Sequence, residues 1–449
     1  MLTTPRLTVP VLSMLASARA LVSRVRASSL VNLAFWGLAD QGLQSLMNFV
    51  TMLLLAREVS RSSFGEFTLV YTGLLFANSF LGSLITQPHN VLGATRTGDD
   101  YKSYTSTCAL GQTGLSLAFA GAIGLAAAGA AIGGWGVATL LALLAPTIFF
   151  WQTQEFFRRV LYTELRPQTA FVNDLVSYGG QGAGVILLWG MGEVSAANVL
   201  IVIALTSSAG CVLGVYQLRN SFGTSVRLSY LKENWRIGSW LAGAGLGYWI
   251  SNQSYRYILA IMLGTQATAL AAAADICMRP LGVVVNAFES ILPTRFARTI
   301  QAGGRLPDEV RRIVILTFLP VVLYALFVAG FGQHLLDVLY DGRYEDAQVL
   351  LDLFAVYYVL LNAGVILSSL LRAGQSTAII FWLTLGSSIY TAVLGWVFVA
   401  LFGVEGAIIG TILNSVLFSV IVMQSRTFRS ILAGPKPPAS SPPAVEIAP

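Results

Sequence analysis

From residue 30 to residue 423 the chain alternates long apolar runs with short polar turns. A helix rises ~1.5 Å per residue and a bilayer core is ~30 Å thick, so about 20 apolar residues make one crossing. Twelve segments fit that length. They are Leu30–Ala56, Phe67–Gln87, Thr105–Ile132, Trp135–Phe150, Phe171–Trp189 and Ala196–Gln217, then Ser239–Leu263, Ala267–Leu292, Arg312–Phe331, Ala347–Leu371, Ala378–Phe402 and Gly406–Met423. The pattern predicts an all-α polytopic membrane protein with twelve transmembrane helices. The polar stretch 218–238 divides them six and six: an N-terminal lobe over 30–217 and a C-terminal lobe over 239–423. The arm 1–29 is interrupted by Arg19 and reads as an interfacial amphipathic helix. In the tail 424–449, the Pro-rich part from about 434 is expected to be disordered.

Composition agrees. Hydrophobic residues make up 55% of the chain and charged ones 11%, with mean hydropathy +0.70. Soluble domains carry roughly 25% charged residues, so most of this surface must face lipid. Two histidines and three scattered cysteines supply no zinc or iron–sulfur motif, and there is no phosphate-binding P-loop. No metal, cofactor or catalytic residue is expected. The net charge of +6 suits an anionic membrane surface rather than nucleic acid.

Basic residues set the orientation. With the N-terminus inside, 22 of the 27 Lys and Arg residues fall on the inner side. Among them are Arg158 and Arg159, assigned to an inner loop. Only Arg57, Arg61 and Arg343 fall outside. Both termini are expected in the cytoplasm of a bacterial cell, with the chain in the inner membrane. Weak echoes link the lobes: Trp36 and Asn48 recur as Trp240 and Asn252, both shifted by 204 positions. Two lobes of equal topology would hold a substrate between them.

Four stretches carry a resemblance: Phe64–Leu69 (FGEFTL), Leu339–Tyr344 (LYDGRY), Leu370–Gln375 (LLRAGQ) and Phe402–Ala407 (FGVEGA). With the pattern around them, the chain resembles the polysaccharide-export branch of the multidrug/oligosaccharidyl-lipid/polysaccharide exporter superfamily, the Wzx-type flippases. The resemblance implies two six-helix lobes around a central cavity. It also implies a few sugars linked through diphosphate to a polyprenyl lipid as substrate. H+ or Na+ is a candidate coupling ion, and a polysaccharide polymerase and a chain-length regulator are candidate protein partners.

Charges inside the spans mark candidate sites. Asp174, Glu289 and Asp352 lie near span ends and are expected to reach water. Asp40, Arg256, Asp275 and Arg279 lie deeper. Asp275 and Arg279 are four residues apart on one helix face and can neutralise one another. Alternatively Arg256 joins them, and two arginines against one aspartate leave a cationic wall suited to phosphate oxygens. Asn48, Asn252, Gln41, Gln44 and Gln253 offer amides to sugar hydroxyls or to neighbouring helices. The candidate substrate-binding set is therefore Arg256, Arg279, Asp275, Asn252, Asp40 and Asn48. The function expected is flipping of a lipid-linked oligosaccharide by alternating access. A cation-coupled drug or small-metabolite antiporter on the same fold is the alternative. A membrane enzyme would call for a large outer loop, and the longest one expected, about 332–346, is short.

Overall fold

A computed structural model describes residues 29–301, 306–374 and 376–433. The arm before Ser29 and the Pro-rich tail lie outside the described residues. Among those described, the regular structure is helical throughout. The first six membrane helices are α1 (Ser29–Glu58), α2 (61–92), α3 (Gly98–Ile132), α4 (Ala138–Thr163), α5 (167–191) and α6 (Ala196–Gln217). The second six are α7 (Ser229–Leu263), α8 (Thr265–Gln301), α9 (Leu306–Tyr340), α10 (Gln348–Ala373), α11 (377–402) and α12 (404–424). A short α13 (Arg426–Ala433) follows. The twelve-helix, two-lobe layout is as the hydrophobic pattern predicts.

Local chemistry explains where the chain turns. Ser60 and Ser195 cap α2 and α6 by accepting the backbone N–H three residues on. Gly192 ends α5 at φ 72°, a left-handed conformation that favours glycine. Gly403 (φ 65°, ψ −138°) reverses the chain between α11 and α12. There Gly406 lies so close to the Phe398 carbonyl that an added Cβ would sit 2.0 Å from its oxygen. Two helices contain a wide π turn, Gly82–Thr86 in α2 and Leu175–Gly179 in α5, the latter directly after Asp174. Such turns are frequent at functional sites.

Large apolar side chains cover the outside: Ile132 is 89% exposed and Leu125 77%. That inversion of the soluble pattern is the signature of a lipid-facing surface. Among the described residues, seven continuous runs are long and apolar enough to cross a membrane, α11 and α12 counting as one. The helices that fall short of that test, α1, α4, α5 and α7, carry many of the buried polar residues described below.

Two expected boundaries move. Helix α4 starts at Ala138, leaving Trp135 in the turn, and runs on to Thr163 rather than ending at Phe150. The extra turns hold Gln152, Gln154, Glu155 and Arg158, polar enough to end an apolar window yet satisfied inside the lobe. Helix α7 begins already at Ser229, within the stretch expected as linker. Its first turns are clamped to the first lobe near the end expected at the cytoplasm. Arg96 pairs with Glu233 and lies between the Tyr104 and Tyr230 rings, 4.4 and 4.5 Å from their centroids. A hydrogen bond from Tyr230, reinforced by Arg96, holds the Asp100 carboxyl below its ordinary range.

At the opposite end, the one expected outside, the lobes are joined directly. Arg61 donates two hydrogen bonds to Asp346, at 2.7 and 2.6 Å, and its guanidinium lies over the Tyr344 ring. Arg343 donates to the Val59 carbonyl at 3.0 Å, and Ser62 meets Thr265 at 2.9 Å. Gly65 touches the 7–8 turn so closely that a Cβ would be 1.9 Å from the Thr265 oxygen.

Candidate functional site

Two groups of buried charge occupy the two lobes. In the first, Arg158 of α4 is 1% exposed and surrounded by acids. It pairs with Asp40 of α1 at 2.9 Å, Glu155 at 2.9 Å and Asp174 of α5 at 2.7 Å. Arg159, one residue on, adds a second cation to Glu155 at 2.8 Å. Tyr162 donates to Asp40 at 2.6 Å, and the Gln44 amide donates to both Asp40 and Asp174. Gln154 donates to the other Asp174 oxygen. Asp40 and Asp174 are both fully buried, and the second oxygen of Asp40 has no partner among the described residues.

This cluster corrects two expectations. Asp174 does not reach water, because α1, α4 and α6 enclose the start of α5. Arg158 is not a loop charge; removing it leaves the sense of the inner-to-outer asymmetry unchanged. Asp40 is held in the cluster. Asn48 accepts hydrogen bonds from Tyr71 and Gln181 within the same lobe, at 3.3 and 3.4 Å.

In the second lobe the order is reversed. Arg256 of α7 is 8% exposed and pairs with Asp275 of α8 at 3.1 Å. It also meets Gln253 and packs over the Tyr255 ring. Tyr358 of α10 donates to the other Asp275 oxygen at 3.2 Å. The carboxylate thus pairs across helices rather than with Arg279, four residues along its own helix. No carboxylate among the described residues lies within 4.0 Å of Arg279, which is half-buried. Helix α8 packs on α2 and α1 of the first lobe, so Arg279 sits where the lobes meet.

Pro280 follows Arg279 directly and deprives the preceding turn of a backbone donor. Next to this break, Tyr324 and Tyr340 of α9 donate to the carbonyls of Cys277 and Ala273 at 2.7 and 2.8 Å, tying α8 to α9. Asn252, one turn before Arg256, uses its amide on the Tyr248 carbonyl and accepts from Tyr357 at 3.4 Å.

A lipid-facing bundle of two six-helix lobes, with charge buried inside each, defines a polytopic membrane protein. Solved structures give the same fold. The lipid II flippase MurJ in an inward closed conformation superposes with a TM-score of 0.67 at 12% identity, over 89% of this chain and 90% of that one. An inward-facing multidrug resistance MATE transporter of the MOP superfamily gives 0.63 at 16% identity, over 85% and 94%. A MOP superfamily transporter from Pyrococcus furiosus gives 0.60 at 14%, over 88% and 94%. At such identities the likeness concerns the fold alone. No curated protein sequence matches the chain. Residues 54–349 match the model of a family described as "Polysaccharide biosynthesis protein", and the chain belongs to that family.

Proposed function

We propose that the protein flips a polyprenyl-diphosphate-linked oligosaccharide across the bacterial inner membrane, with both termini in the cytoplasm. The observation that carries this reading is Arg279: a half-buried guanidinium on a helix that packs against the first lobe, with no carboxylate in pairing range among the described residues, beside an Arg256–Asp275 pair. A diphosphate headgroup is anionic and must cross where water is scarce. Guanidinium forks bind phosphate oxygens in two parallel hydrogen bonds and keep their charge at any relevant pH. Asp275 and Tyr358 orient Arg256, and Arg279 offers its full donor set to the cargo. The outer contacts around Arg61 and Gly65 close the far side while the headgroup loads from within. The family membership and the fold of a lipid II flippase support the same class of cargo.

The first-lobe cluster suits a coupling role. Three carboxylates there face two cations, one of them half-exposed, so one bound proton balances the site. An antiporter for cationic drugs would need an open acidic wall, and here the acids close around Arg158.

Export complementation with membrane-level controls tests the proposal. Arg279→Ala should abolish export with normal protein levels, and Arg279→Lys should retain part of it. Recovery of export in an Asp275→Ala/Arg279→Ala double variant would mean that the charges only neutralise one another, and would overturn the reading.

A further inference from the structure

The second lobe holds a cavity of about 170 Å³ lined by α7, α8, α10, α11 and α12. Its lining is rich in hydroxyl and amide groups, several of which have no hydrogen-bond partner among the described residues. Serine and threonine in a helix ordinarily donate to the carbonyl one turn back. Thr411 and Ser415 do so, at 2.8 and 2.9 Å. Ser368, Thr384 and Ser387, which line the same space, donate to no partner among the described residues. Asn414 of α12 is 8% exposed, faces the cavity, and its amide likewise has no hydrogen-bond partner among the described residues. Facing the space without a protein partner, that amide is available to a polar guest.

Charge narrows what that is. The ionised groups of the lining are Glu289 and Arg372 at the inner end, and they pair with each other at 2.9 Å. With the single acid already neutralised, the cavity offers no net charge to hold a metal cation or an anion. Tyr248, Tyr357 and Phe418 add flat aromatic faces among the hydroxyls. Donors, acceptors and aromatic faces around a neutral space are what a pyranose ring presents a match for, with hydroxyls at its rim and C–H groups on its faces. The place fits as well. Asn252 lines the cavity and lies one helical turn from Arg256, and adjacent tyrosines of α10 bridge the two sites: Tyr357 donates to Asn252 and Tyr358 to Asp275.

We propose that this cavity seats one neutral sugar unit of the cargo while its diphosphate lies against Arg256 and Arg279. The assignment rests on the flippase reading, and the following experiment separates the two. Purified protein in nanodiscs is probed by saturation-transfer NMR with free glucose, galactose, N-acetylglucosamine and rhamnose, with glucuronic acid as a charged control. At least one neutral sugar should bind, and glucuronic acid more weakly. Asn414→Leu should weaken that binding about fivefold or more, roughly the worth of one hydrogen bond. The near-isosteric Thr384→Val does the same service should Asn414→Leu fold poorly. Arg279→Ala should leave free-sugar binding intact. Absence of binding by every neutral sugar, or wild-type binding in both cavity variants, overturns the sugar site. The flippase reading would still stand if Arg279→Ala abolishes export. Sugar binding together with normal export by Arg279→Ala would instead remove the diphosphate site and keep the cavity.

Discussion

The two lobes bury arginine in opposite ways. Arg158 in the first meets three carboxylates and keeps almost no exposed surface. Arg256 and Arg279 in the second have, among the described residues, one carboxylate between them in pairing range, and it goes to Arg256. Removing an ion from water costs several kcal/mol unless close partners replace its hydration. The first lobe provides those partners in full, so its arginine has nothing left to offer a ligand. The second offers Arg279 no carboxylate among the described residues, which fits the proposal that a passing anion is its partner. The same side chain is thus a structural anchor in one lobe and a candidate binding group in the other, and the carboxylate count decides which.

The comparison breaks most visibly at its most buried member. Arg158→Leu leaves Asp40, Glu155 and Asp174 crowded together without their cation. Losing one partner of a buried pair typically costs about 3–5 kcal/mol. We expect the protein to disappear from the membrane fraction, or its detergent-solubilised melting temperature to collapse. Arg279→Ala is expected to do neither, although export is lost. Equal thermal destabilisation by the two variants would erase the distinction between the lobes.

A smaller effect is expected at the contact proposed to close the outer side. Gly65→Ala drives a methyl into the Thr265 carbonyl, a backbone atom that cannot swing away. Overpacking of this kind costs about 1–3 kcal/mol. It acts on the contact between lobes rather than within either. Thr68, buried at 6% exposure one turn further in, reports on it: a Thr68→Cys thiol should label faster with an outside maleimide when Gly65→Ala is present. Unchanged labelling would mean that Gly65 does not seal the outer side.

Much of the architecture was legible in the hydrophobic pattern, because lipid forces each crossing to declare itself as an apolar run. What the pattern hid was polar chemistry that satisfies itself. Arg158 looked like a loop residue since Gln152, Gln154, Glu155 and Arg159 dilute the end of α4. The spacing of Glu155 from Arg158 and Arg159, three and four residues, was the available sign that these charges pair along a continuing helix. Asp174 looked accessible because position along a helix says nothing about which neighbours cover it. For Asp275, spacing alone favoured Arg279, and only the approach of α7 to α8 decides for Arg256. The hydroxyl cavity also left a trace: Thr384, Ser387, Ser388 and Thr391, like Thr411, Asn414 and Ser415, recur at helical spacing in apolar spans. Such residues are equally common in close helix packing, so their convergence on one space emerges only in three dimensions.

The smallest effect should come from a pair that water already solvates. Arg57 and Asp341 meet at 3.9 Å with side chains 39% and 79% exposed. Asp341 also has φ 55°, so most substitutions there would strain the backbone and confuse the result. Asparagine tolerates that conformation, which makes Asp341→Asn a nearly pure removal of charge. Exposed pairs contribute about 0–1 kcal/mol, less as salt rises. We therefore expect wild-type export and a melting temperature within error of the parent. The contrast with Arg158→Leu isolates burial as the variable, since each variant removes one charge from an Arg–Asp contact. A large loss from Asp341→Asn would show that this outer contact holds the lobes together by more than its charge, and the latch would then extend beyond Arg61.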